Sequence, residues 1–272
     1  MIDFIPSNCE NLTTDEALQK YLSPEGVLYL VMHRPQVNNA FNGAQIERLL
    51  DALDQAAEDE KVKVLVLAGS GKHFCAGGDI NYMRSNGEAS FDENKLEAIN
   101  LATLMNQLHE FPKPTIARVH GAVFGGGVGL VCCCDMAFGS TDTKICLSEV
   151  KIGMVPATIG PYVIKAIGLR NAHRFMLSAE EVIGEETVKN KFLHGIYPSE
   201  ERDEFIRDLA KKISLNGPNA VQISKALLLN LAYQNPSDEV IDYTAEIIAN
   251  VRESDEGKEG LTAFLEKRKP NF

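Results

Sequence analysis

The sequence predicts an α/β core followed by an all-helical C-terminal module, on three observations. Short β-branched or apolar runs alternate with helically spaced ones up to residue 197. From residue 198 to 272, four helical patterns follow one another with no strand between them. Glycine-rich turns close two of the early apolar runs, whereas Pro218 and Pro236 punctuate the later part.

Each element has its own local reason. Residues 26–32 alternate as a strand and stop at the Arg34-Pro35 breaker. Residues 45–57 carry Ile46, Leu49, Leu50 and Leu53 at helical spacing. Residues 62–68 read as a buried strand, stopped by Gly69-Ser70-Gly71. A helix over 94–111 is broken by Pro112 and Pro114; a strand over 115–119 and a glycine-started buried helix over 125–134 follow. Residues 136–139 and 144–147 are shorter strands, and 158–168 and 170–177 are helical. Helices over 200–215, 219–233, 237–252 and 255–268 complete the chain.

Composition narrows the function. Apolar residues make up 44% of the 272 and charged residues 24%, ordinary values for a soluble protein. A net charge of −11 argues against nucleic acid, whose binding needs surplus Lys and Arg to neutralise phosphate. A local cationic patch could still serve an anionic ligand, and Lys267, Arg268 and Lys269 are the candidates. The same residues would also offset a helix dipole.

The cysteines, Cys9, Cys75, Cys132, Cys133, Cys134 and Cys146, have neither metal-ligand nor disulfide-framework spacing. They suit a reducing compartment and a cytoplasmic protein. Residues 1–12 hold Asp3 and Glu10 but no basic residue, unlike a secretory or transit leader. No apolar run approaches the length of a membrane span.

The chemistry is expected at two glycine-bearing turns. Phe74-Cys75-Ala76-Gly77-Gly78-Asp79-Ile80 follows the strand over 62–68, and His120-Gly121-Ala122-Val123-Phe124-Gly125-Gly126-Gly127 follows that over 115–119. Glycine lets a backbone N–H approach a ligand closely, and the second cluster opens a helix whose first N–H groups lack partners. Two such turns could donate to a single oxygen, as an oxyanion hole does; each alone is more often a plain tight turn. No Gly-Lys-Ser/Thr follows either cluster, so neither is a phosphate loop. Asp79 and Asp135 read as turn and strand-end residues. His33 and His120 have no evident nucleophile partner. Neither a Ser-His-Asp arrangement nor a metal-ligand spacing stands out. Residues 81–94 are polar and are expected to form a lid.

Taken in order, these motifs resemble the crotonase (enoyl-CoA hydratase/isomerase) superfamily. The set comprises Arg34-Pro35 with Asn39-Ala40, the two glycine turns, and Cys133-Cys134-Asp135. Leu147-Ser148-Glu149, Gly153-Met154-Val155-Pro156, Glu259-Gly260 and the stretch from Ala263 to Arg268 follow. The resemblance covers almost the whole chain, from Gly26 to Phe272. It implies a spiral of ββα turns with a C-terminal helical module that mediates trimerisation, with hexamers made of two trimers. It implies an acyl-CoA substrate and no prosthetic group or metal. It places oxyanion donors on the N–H groups of Gly78 and Gly126, the adenine end of CoA near Ala76, Asp79 and Ile80, and a neighbouring subunit's CoA near Phe264 and Lys267.

Hydratases of that family commonly use two glutamates twenty positions apart. The later matches Glu149, while the earlier would fall at position 129, which is Gly129. Three readings follow: hydration with Glu149 as the acid–base, double-bond isomerisation by Glu149 alone, or acyl-CoA binding without turnover. Residues 126–130 and 147–159 resemble bacterial methylglutaconyl-CoA and isohexenylglutaconyl-CoA hydratases, which favours hydration. The substrates of those enzymes carry a distal carboxylate, for which Lys151 and Arg84 are candidate partners.

Overall fold

The computed structural model describes residues 3–79 and 89–272. Its centre is a seven-stranded sheet, ordered β1-β2-β3-β4-β5-β7-β10. The strands are β1 (Glu10–Asn11), β2 (Leu18–Leu22), β3 (Val27–Met32), β4 (Val64–Gly69), β5 (Thr115–Val119), β7 (Met136–Ser140) and β10 (Gly195–Tyr197). The first two pairings are antiparallel, and the rest, from β3 through β10, are parallel. A smaller sheet holds β6 (Ala122–Phe124), β8 (Lys144–Cys146) and β9 (Val182–Ile183).

Alternating residues of the parallel strands feed two cores. Leu28, Leu30, Leu65, Leu67, Ala117 and Val119 pack with Ile46, Leu49 and Leu53 of α1 (Gly43–Glu58). Val27, Tyr29, Val31, Val64, Val66 and Ile116 pack with Ile206 and Ala210 of α6 (Ser199–Ser214). Burial on both faces explains why β3 and β4 are apolar throughout rather than alternating with polar residues.

The helices between are α2 (Phe91–His109), α3 (Gly126–Cys133), α4 (Gly160–Ser178) and α5 (Glu185–Lys189). Asn42 caps α1 by accepting the Gln45 N–H, and a Ser90/Glu93 capping box starts α2. The expected helices over 158–168 and 170–177 are the two halves of α4, which meet at a kink where Gly168 leaves the helical conformation at φ 77°.

The expected C-terminal helices are all present. The first, α6, covers a sheet face. The others, α7 (Pro218–Leu231), α8 (Asp238–Glu253) and α9 (Asp255–Glu266), bury almost nothing within the chain. Leu228, Ile241, Ile248, Leu261, Phe264 and Leu265 are exposed there. None of the described helices is long and apolar enough to cross a membrane.

One ion pair ties α7 to the core. The buried Lys225 ammonium donates to Asp135 Oδ2 at 2.7 Å and to the Lys113 carbonyl at 3.1 Å. The same oxygen receives the Thr115 N–H and hydroxyl. Removing one partner of such a pair strands the other charge. Asp135→Ala should therefore cost about 3 kcal/mol and lower the melting midpoint by roughly 6 to 12 °C. Asp135→Asn, which keeps an acceptor for Thr115, should lose less. Thermal and denaturant melts of the two variants check both.

Candidate active site

The two glycine turns lie side by side because a short parallel pairing joins them. The Cys75 N–H donates to the Ala122 carbonyl at 3.3 Å, and the Phe124 N–H donates to the Cys75 carbonyl at 2.9 Å, which pairs Cys75 with Val123. Two residues onward along both chains, Gly77 meets Gly125. A Cβ on Gly77 would lie 2.9 Å from the Phe124 carbonyl oxygen and 3.7 Å from the Gly125 Cα. Both residues have positive φ, 92° and 49°, so glycine is required for conformation as well as for room. Gly78 and Gly126 are the next residues along the two turns.

The directions of these two amides follow from their neighbours. Phe41 pairs with Gly78 across the other edge of the first turn, donating to the Gly77 carbonyl at 2.8 Å and accepting the Asp79 N–H at 2.7 Å. In a parallel ladder those bonds flank the opposite residue, so the N–H of Gly78 faces away from Phe41, towards the edge where the Gly125–Gly126 turn runs. Gly126 is the first residue of α3, and the first N–H groups of a helix have no intrahelical acceptor. Neither amide has an acceptor among the described residues.

Glu149 closes the third side. It begins a 3₁₀ turn, Glu149–Ile152, and its Oε1 lies 3.3 Å from where a Cβ on Gly125 would be. Its Oε2 is buried with no hydrogen-bond partner among the described residues. Burial pushes the carboxyl above the ordinary glutamate range, and a backbone hydrogen bond opposes this only in part. A raised carboxyl with one bare oxygen, beside two unpartnered amides, can exchange a proton with a ligand whose oxygen the amides hold.

At Gly129, one helical turn along α3, a Cβ would come within 2.3 Å of Ile159 Cγ2 and 3.0 Å of Met105 Sδ. Both residues are buried. The space that a second acid would occupy is filled with hydrocarbon and a thioether.

The remaining expected residues fall in different places. Ala76 donates to the Asn38 carbonyl, and the Asp79 carboxylate pairs with Arg34 at 3.2 Å. Both are within the first turn. Ile80 and Arg84 lie outside the described residues, as does most of the expected lid over 81–94. Of that stretch, Ser90 to Asn94 belong to the cap and first turn of α2. Lys151 sets its ammonium 3.7 Å from Cys146 Sγ. Phe264 is 82% exposed on α9, and Lys267 ends that helix in the left-handed conformation. Of the basic tip, Arg268 is committed within the chain, forked on Glu259 at 2.6 and 2.9 Å.

His33 bonds Ser70, and His120 bonds the Gly71 carbonyl. Burial, with Arg118 nearby, lowers the pKa of His120 to about 4. The six cysteines are free, and burial pushes the Cys75 and Cys132 thiols up to about 12, far from reactive thiolates. Among the described residues no group of three His, Cys, Asp or Glu side chains could hold a metal ion. Sequence reading missed Asn39 and Phe41 as parts of the site, although Asn39 stood within a motif already noted.

A parallel sheet with glycine turns at its strand ends, and an acid set against the second turn, is an arrangement that can polarise a carbonyl group and move a proton beside it. The chain belongs to the enoyl-CoA hydratase/isomerase family, whose model matches residues 23–272. An enoyl-CoA hydratase structure from Shewanella pealeana is 38% identical and superposes with a TM-score of 0.90, over 94% of this chain and 96% of that one. Pseudomonas aeruginosa AtuE is 33% identical at a TM-score of 0.89, over 94% and 98% of the two chains. The 2,3-dehydroadipyl-CoA hydratase of Escherichia coli K12 is 28% identical over 90% of this chain and 94% of its own.

The crowding at Gly129 makes a direct prediction. Gly129→Ala should overpack the core and cost about 1 to 3 kcal/mol. Ile159→Ala alone should cost about 2 to 5 kcal/mol through the cavity it leaves. The double variant should lose less than the sum of the two, with a coupling above about 0.5 kcal/mol in a denaturant-melt cycle.

Proposed function

We propose that this protein hydrates an α,β-unsaturated acyl-CoA, with Glu149 as its acid–base and the N–H groups of Gly78 and Gly126 as donors to the thioester oxygen. The supporting observation is the bare, buried Oε2 of Glu149 beside the Gly125–Gly126 turn. In this reading the Glu149 carboxylate takes a proton from water as the water oxygen bonds to the β-carbon. The double-bond electrons shift towards the carbonyl, and the charge gained by its oxygen is met by the two amides. Glu149 then returns the proton to the α-carbon, so the product gains one water. The family supports the CoA thioester as substrate, with no prosthetic group, and the names of its relatives favour hydration.

For the acyl group we favour a branched diacid of the methylglutaconyl type, on the wording of residues 126–130 and 147–159. Lys151 and Arg84 are the candidates to meet its far carboxylate, and the apolar residues left exposed on α7 to α9 support assembly as a trimer or a pair of trimers. Ala76, Asp79 and Ile80 are proposed for the adenine end of CoA, and Phe264 and Lys267 for a neighbouring subunit's CoA. The six free thiols suit the cytoplasm.

A second reading is favoured by the filled space at Gly129. With one acid alone, Glu149 could take a proton from C2 and return it at C4, isomerising the double bond. Product mass separates the readings when the protein is incubated with short, branched and diacid enoyl-CoAs. A gain of one water on the branched diacid is expected. A moved double bond at unchanged mass would identify an isomerase, and no turnover on any substrate a binding protein.

Glu149→Gln should abolish turnover while retaining affinity for a saturated acyl-CoA. The acid limb of kcat/KM, set by deprotonation of Glu149, should lie above the ordinary glutamate range. The same shift links to stability. Between the ordinary and the raised pKa the folded chain keeps a proton that the unfolded chain has released, so stability falls as pH rises through that window. Glu149→Gln should therefore melt higher than the parent above the window, with the difference closing below it.

A further inference from the structure

The Asn39 motif has no part in the proposed chemistry, yet its side chain sits where the first oxyanion turn is held. Asn38 and Asn39 both adopt left-handed φ, 53° and 56°. That conformation costs a non-glycine residue about 1 to 2 kcal/mol, and asparagine tolerates it best. The two residues turn the chain so that 38–41 runs beside 76–79. Ala76 donates to the Asn38 carbonyl, Phe41 donates to the Gly77 carbonyl, and Asp79 donates to the Phe41 carbonyl.

The Asn39 amide, only 1% exposed, locks this arrangement. Its Oδ1 accepts the Arg34 N–H at 2.8 Å. Its Nδ2 donates to the carbonyls of Ser70 and His73, both at 2.8 Å. The Asn39 N–H closes the loop on the Arg34 carbonyl at 2.9 Å. Arg34 in turn reaches forward, to the Ala40 carbonyl at 2.6 Å and to Asp79. One side chain thus ties the end of β3 to the turn after β4, four residues before Gly77.

We propose that Asn39 is a positioning residue for the Gly78 donor: its two amide hydrogens fix the turn that aims the Gly78 N–H at the thioester oxygen. This rests on the oxyanion reading of Gly78. Asn39 touches no substrate and acts only through the backbone of residues 70–79. Ordinary packing would not require both hydrogens to be used on the same turn.

Two variants test it. Asn39→Asp keeps the shape and the acceptor for Arg34 but sets oxygen against the Ser70 and His73 carbonyls. Asn39→Gly keeps left-handed freedom and removes the side chain. The probe is butyryl-CoA labelled with carbon-13 at its thioester carbonyl, whose infrared stretch falls when donors pull on the oxygen. With either variant, kcat should fall about 30-fold or more while butyryl-CoA affinity changes less than about threefold. The bound carbonyl stretch should move back towards its value in water. Asp135→Ala, destabilised elsewhere, should leave that stretch unmoved.

An unmoved stretch in the Asn39 variants overturns the proposal, whether kcat holds within about threefold or falls together with affinity. If Asn39→Asp fails to fold, Asn39→Gly decides. If the parent itself shows no lowered stretch on binding, the oxyanion reading fails first, and this proposal with it.

Discussion

The close approach of two backbones, at Gly77 and Gly125, is the constraint on which the rest of the site depends. Two chains carrying side chains could not run at this separation, since even a Cβ on Gly77 would press against the Phe124 carbonyl. Peptide groups pressed together this closely normally satisfy one another. Here the pairing stops one residue short, leaving Gly78 and Gly126 each with an N–H that no described residue takes up. The parallel sheet makes this possible by delivering both turns to the same ends of adjacent strands, β4 and β5.

Glu149 carries the complementary cost. An acceptor oxygen buried without a donor works against folding, and the upward shift of its pKa records the same strain in another form. The strain is local, because the chain around Glu149 is otherwise well held. The Gly125 N–H donates to the Cys146 carbonyl, and the Met154 N–H donates back to the Glu149 carbonyl. The backbone is fixed, and one oxygen of the carboxyl is left wanting a partner.

Much of this was legible in the sequence, for identifiable reasons. Glycine clusters and an isolated acid are local signals, and residues 64–68 are apolar because both of their faces are covered, so the strands and turns could be placed. The N-terminal strand β2 escaped notice because Gln19 and Lys20 dilute its apolar pattern. The strand β6 was hidden inside what reads as a glycine turn; its pairing with β8 and the bridge from Val123 to Cys75, 48 positions back in the chain, reveal it. The Arg34–Asp79 pair and the Asn39 contacts link residues about 31 to 45 positions apart, and no spacing rule reports such distances. The break between the helices over 158–168 and 170–177 was legible, because Gly168 is a helix-weakening residue and the chain kinks there.

The packing of Ile159 against Gly129 makes the two positions interdependent. With glycine at one and a β-branched residue filling the space beside it, an acid at 129 cannot be fitted by a single substitution. Any residue larger than glycine meets the isoleucine first, and trimming the isoleucine first opens a void. Each order of change passes through a poorly packed intermediate. The apolar filling therefore obliges positions 129 and 159 to change together or not at all, for reasons of volume alone.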